Sequence, residues 1–242
     1  MKLITKSLLA SLLISGVAYT FAAPNAIAQQ KVEDRHLSGF HAVDVGGPFD
    51  VRLTQGATES VKVDAPADLM SHITTEVEDG VLKVYNKHNE MFHWGDLFRH
   101  RKVLVYVTIK DVNSIVVSGS GDVAFPEGLH SDRMNLHVSG SGDVNGMLDA
   151  KDLQTSISGS GDVRLSGHAE TSEVRVSGSG DYRASGFHTS STSVHVSGSG
   201  DASIYASNKV DASVSGSGDI RYSGSPKSVY KNKSGSGDIG GD

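Results

Sequence analysis

The chain has 242 residues, no cysteine and a formal net charge of −6. Without cysteine there can be no disulfide, no acylated lipobox cysteine and no Cys-ligated zinc or iron–sulfur centre. The acidic balance speaks against nucleic acid or an anionic membrane as partner, since both carry fixed negative charge.

Residues 1–28 read as a secretory signal peptide. Lys2 and Lys6 form a positive n-region, and Leu8 to Ala23 is apolar and uncharged. Ala26-Ile27-Ala28 fits the small-x-small rule, so cleavage after Ala28 is expected. The apolar stretch is short for a membrane anchor, and no other segment is apolar enough to cross a bilayer. Cleavage would remove two of the 22 basic residues and no acid, leaving 20 against 28 and a net charge of −8. The protein is therefore expected to be exported, to the periplasm or to the cell surface.

A short lead over residues 29–37 precedes a single domain over 38–238. Its first part, 38–117, reads as strands: Phe40–Val45, Phe49–Leu53, Ser60–Asp64, Ile73–Glu78, Val81–Asn86 and Val103–Ile109. Gly46-Gly47-Pro48 and Asp79-Gly80 are turn signals between them. No linker rich in Pro, Gly or Ser divides this part from the second half of the chain. It is expected to form irregular first coils of one solenoid, with a separate small β domain as the alternative. The insertion Lys87–Lys102 holds Phe92, His93, Trp94 and Phe98, and reads either as a binding loop or as a flap over the end of the core.

From residue 118 the pentapeptide Ser-Gly-Ser-Gly-Asp occurs seven times, ending at Asp122, Asp143, Asp162, Asp181, Asp201, Asp219 and Asp238. The steps are 21, 19, 19, 20, 18 and 19 residues, which is the period of a solenoid coil. Apolar residues alternate on both sides of the motif as they do along a strand. Leu136 and Val138 precede Ser139, and Val163 and Leu165 follow Asp162. No helical period separates these strands. The fold class is all-β, a right-handed parallel β-helix with coils of about 19 residues, since crossovers between parallel strands are right-handed. The motif is expected to be a corner, with glycine supplying positive φ and Asp accepting from its own turn amides. Lys231 and Lys233 replace apolar residues in the last repeat, so Lys231–Asp242 reads as a polar cap or frayed end, with 239–242 as a tail.

The run from Phe40 to Gly56, then Glu78-Asp-Gly-Val-Leu-Lys-Val, Val103-Leu-Val-Tyr-Val-Thr-Ile and the repeats, resembles the head GIN domain family. This is a domain of unknown function described as a putative autotransporter adhesin head. The resemblance covers roughly 38–220. It implies a right-handed β-helix shaped like pectin lyases, secreted by bacteria and without an established catalytic site. No stretch of the sequence reads as a translocating β-barrel, so surface attachment would need another device.

Seven stacked carboxylates repel one another unless a cation or donor intervenes. A calcium ladder along Asp122, Asp143, Asp162, Asp181, Asp201, Asp219 and Asp238 is one expectation, since hard oxygen ligands suit Ca²⁺. Satisfaction by turn amides, with Arg164, Arg183 and Arg221 beside Asp162, Asp181 and Asp219, is the simpler one. A polysaccharide lyase would need a unique constellation, whereas this environment recurs seven times. His137 and His195 share an outward column but lie about 14 Å apart by strand spacing, too far for one metal. The reading is an exported, non-enzymatic, adhesin-like protein with no catalytic residue and no required cofactor. Its expected partners are glycans or other envelope components met through a flat, repetitive face.

Overall fold

The computed structural model describes residues 29–87 and 101–241. The signal peptide and the aromatic residues Phe92, His93, Trp94 and Phe98 lie outside the described residues. The described residues contain sixteen β-strands in one sheet system and a single 3-10 turn, Met70–His72.

Five long strands form the repeat region: β9 (Val123–Val138), β10 (Val144–Ile157), β11 (Val163–Val176), β12 (Tyr182–Val196) and β13 (Ala202–Gly216). Each pairs in parallel with the next, so the chain is a β-solenoid of about seven turns. The sequence suggests two short strands per coil. Instead one strand runs the length of each coil and bends twice within it. The bends show as breaks in the alternation of buried and exposed residues. In β9 the buried set is Val123 and Phe125, then Leu129 and Ser131, then Met134, Leu136 and Val138. These three runs define three faces around one aliphatic core. The first bend varies in length, and the pairing register shifts there between β9 and β10, β11 and β12, and β12 and β13.

The N-terminal part is built on the same axis. Strands β2 (Ala42–Gly46) and β3 (Asp50–Gln55) pair in parallel with β8 (Ser114–Val117) and β9 on one side. On the other side they pair with β6 (Val81–Asn86) and β7 (Leu104–Ile109). The first coil in sequence is thus the second in space. Strands β4 (Ser60–Pro66) and β5 (Ile73–Glu78) then add antiparallel to β7 and β6, closing that end. The lead segment is itself a strand, β1 (Gln30–Asp34), antiparallel to β4. Strand β6 ends at Asn86 and β7 begins at Leu104, the step at which every later coil has its corner pentapeptide.

At the far end β14 (Ile220–Ser223) and β15 (Ser228–Gly235) continue the stack. Residues Ile239–Gly241, expected as a tail, form β16 on β14. Lys231 and Lys233 occupy the positions of Ala212 and Val214 in the coil before, and both are exposed. Lys231 Nζ donates to the Ile239 carbonyl at 3.0 Å, and Lys233 Nζ to the Asp238 carboxylate.

The core is columnar. Val117, Val138, Ile157, Val176, Val196 and Val214 stack before the corner, and Val123, Val144, Val163, Tyr182, Ala202 and Ile220 after it. Tyr182 is fully buried, and burial pushes its phenol up to about 12 against a smaller opposite pull from Ser172 and Thr155. The core therefore carries no tyrosinate at any ordinary pH. Gly146 stands at an inward position because the Phe125 ring fills the space: an added Cβ would lie 2.0 Å from it.

The corner glycines correct the sequence expectation. Positive φ is confined to the first glycine of the last three motifs, Gly198, Gly216 and Gly235. What all seven motifs share is crowding. A Cβ on Gly140 would sit 1.9 Å from the Gly119 carbonyl oxygen, and one on Gly161 would sit 2.1 Å from that of Gly142. Each glycine carbonyl of the first column also accepts two amides from the coil above: Gly119 accepts from Ser141 at 3.0 Å and from Gly142 at 3.2 Å. Coils can approach this closely only where no side chain intervenes.

Gly161→Ala should therefore lower stability by about 3 kcal/mol, at the upper end for overpacking, because the obstructing atom is backbone. Gly186→Ala, whose Cβ would meet only Ser166 Cβ at 3.8 Å, should change it by less than about 0.5 kcal/mol. Thermal melts of the two variants check the contrast.

Candidate functional site

The corner column is built from the second glycine and the Asp of each motif. In a regular ladder the Asp amide would find a carbonyl on the coil below. Here the carbonyl of the first glycine has taken both neighbouring amides, and the Asp side chain below supplies the acceptor instead. The Asp143 amide donates to Asp122 Oδ1 at 2.9 Å, Asp162 to Asp143 at 2.9 Å, Asp181 to Asp162 at 2.9 Å, and Asp201 to Asp181 at 2.8 Å. Asp219 and Asp238 continue it at 2.8 Å each. The carboxylates thus bind the next coil, and not their own turn as the motif alone suggests.

The column also starts earlier than the repeats. The Asp122 amide lies 3.3 Å from Asp50 Oδ1, and Gly119 stands over the Gly47 backbone. Gly46-Gly-Pro-Phe-Asp50 is therefore a divergent first copy of the corner. Phe49 takes the place of the second glycine, and its ring is buried in the core.

The outer carboxylate oxygens meet cations. Arg164 joins Asp143 at 3.0 Å to Asp162 at 2.7 Å. Arg183 joins Asp162 to Asp181, the latter at 2.6 Å. Arg221 lies 3.7 Å from Asp219, and Lys102 lies 3.1 Å from Asp50. Burial pushes the Asp162 carboxyl up, but the Asp181 amide, Arg183 and Arg164 together outweigh it and hold it below the ordinary carboxylate range. Among the described residues no group of three or more His, Asp or Glu is placed to hold a metal ion.

Two further columns run along the faces. His130, Asp149, His168, His188 and Tyr205 are in register, one per coil. Asp149 lies 3.4 Å from His130 Nδ1 and 2.9 Å from His168 Nε2, and His188 stacks on Tyr205 with ring centroids 4.1 Å apart. In sequence these residues look scattered. They follow the preceding motif Asp by 8, 6, 6, 7 and 4 residues, because the bend before them varies in length. His137 and His195, by contrast, are separated in their column by Ser156 and Arg175.

On the face leading into the corner there is an open trough of about 590 Å³ that crosses five coils. Its walls are two in-register columns: Arg133, Asp152, Thr171, Ser191 and Lys209, and Asn135, Gln154, Glu173, Ser193 and Asp211. Leu153, Ser172 and Thr192 form the floor between them. The second column precedes each motif by a constant four residues, so its periodicity is visible in the sequence.

The architecture defines a β-solenoid whose corner is internally satisfied and whose faces carry polar columns. The chain belongs to the head GIN domain family, described as "putative auto-transporter adhesin, head GIN domain", which matches residues 39–226. It is similar to a crystal structure titled a putative adhesin from Bacteroides fragilis: 26% identity, 88% of this chain and 97% of that one, TM-score 0.82. Two structures from Parabacteroides distasonis share the fold. One, titled a putative lipid binding protein, has 23% identity over 89% and 98% of the chains and a TM-score of 0.69. The other, titled a putative adhesin, has 22% identity over 89% and 98% and a TM-score of 0.70. No curated protein matches.

The corner is open to two tests by substitution. Asp201 has no cation partner among the described residues, so Asp201→Asn should leave the melting temperature nearly unchanged, whereas Asp201→Ala strands the Asp219 amide and should cost about 1 kcal/mol. Asp162, held low in the folded state, contributes stability that is present above the unfolded carboxylate pKa and lost as pH falls through the folded one. Melts of wild type against Asp162→Asn should converge between about pH 5 and pH 2.

Proposed function

We propose that the protein is an exported, non-enzymatic, adhesin-like protein that binds glycans or other polymers of the cell envelope through its outward faces. One observation carries this reading: the recurring carboxylates are spent on holding coils together, while the trough presents polar side chains at a constant rung spacing of about 4.8 Å. A repetitive face suits a repetitive partner. Catalysis needs a unique constellation, and each corner repeats its neighbours. The family's description as an adhesin head supports the same direction. Among the described residues no helix is long and apolar enough to cross a membrane.

The purified mature protein should be retained on an array of envelope polysaccharides, and should yield no unsaturated or hydrolysed product from them. In cells, the mature N-terminus should be Gln29 and the protein should be cleaved by protease added outside. Protection from protease in intact cells, with release only on opening the outer envelope, contradicts adhesion.

A further inference from the structure

We propose that the column Asn135, Gln154, Glu173, Ser193, Asp211 and Tyr230 is a binding track for a linear, uncharged glycan lying along the solenoid axis, one sugar per coil. The proposal rests on the polymer-binding reading above and narrows it to one track and one substrate class. The six residues are consecutive register partners on strands β9, β10, β11, β12, β13 and β15. The first five line the trough, and Tyr230 continues their column beyond its end.

The chemistry of the column is that of sugar recognition. Amide and carboxylate side chains bridge neighbouring hydroxyls, and an exposed aromatic ring receives the C–H face of a pyranose. Gln154, Ser193 and Asp211 make no side-chain hydrogen bond or ion pair among the described residues, so their polar atoms are available to a ligand. Tyr230 is 60% exposed and holds no core together. Lys209 Nζ lies over one face of its ring, 5.5 Å from the centroid. From Asn135 to Tyr230 there are five register steps, or about 24 Å at strand spacing. An extended pyranose chain advances by a comparable length per sugar.

The alternatives fit less well. A peptide added to a sheet needs a free strand edge, and the trough lies on a face whose backbone is already paired coil to coil. An acidic polymer would bring like charge against Glu173 and Asp211, the two charged residues of the track, since the trough's cations Arg133 and Lys209 stand in the other column.

The test is titration calorimetry of the full mature protein with neutral, amino-sugar and acidic oligosaccharides of increasing length, including β-linked glucose and N-acetylglucosamine oligomers. Affinity should rise with each neutral sugar up to about six, one for each coil of the track, and then level off. Tyr230→Ala and Gln154→Ala should each weaken binding about tenfold without shifting the melting temperature, and His137→Ala should do neither. Glycan binding that ignores length and survives both substitutions overturns the track and leaves the wider reading standing. Retention of no glycan at all, with a protein partner captured instead, overturns both.

Discussion

The approach of glycine backbone to glycine backbone at the corner sets the pitch of the whole molecule. Each second-column glycine stands with its α-carbon over the carbonyl below, at a distance that leaves no room for a methyl group. At the same corner each first-column glycine carbonyl takes two amides from the coil above, and the Asp amide is left without a backbone acceptor. A buried or half-buried amide cannot be left unpaired cheaply, and the carboxylate of the Asp below takes it. Glycine and aspartate in the motif are thus two halves of one constraint. The first lets the coils close, and the second repairs the hydrogen bonding that closure disrupts.

Electrostatics follows from that repair. Seven carboxylates and Asp50 stand in one line, and beside them lie Arg164, Arg183 and Arg221 from adjoining strand positions and Lys102 from just before β7. Such half-exposed pairs contribute modestly one by one. Their effect is to make a charged column tolerable where a neutral acceptor would also serve. The corner carboxylates accordingly serve the stack, while the side chains of the faces change from coil to coil without disturbing it.

Much of this is legible in the sequence, and the losses have physical causes. The motif spacing and the flanking valines lead directly to parallel coils and to the inward columns, Tyr182 included. The N-terminal strands are recognisable one by one, but their spatial order is not, because β2 and β3 slide between β6–β7 and β8–β9, and no local pattern encodes that. Gly46-Gly-Pro-Phe-Asp50 looks like a plain turn, since Phe49 conceals its kinship with the motif. The motif glycines suggest positive φ, whereas their common role is to lack a Cβ, a property that only the neighbouring coil reveals. The His130–Asp149–His168 column is hidden by a bend of variable length, while the trough column, at a constant offset, lies in plain view.

Amide hydrogen exchange read residue by residue tests the central claim most directly. If carboxylates pair the coils, the amides of Asp143, Asp162, Asp181, Asp201 and Asp219 are protected like core strand amides although they lie at an exposed corner, and Asp143→Ala releases the Asp162 amide while leaving its neighbours protected. Motif amides that exchange as fast as a free loop in the wild-type protein, with the core strands still protected, would contradict the account.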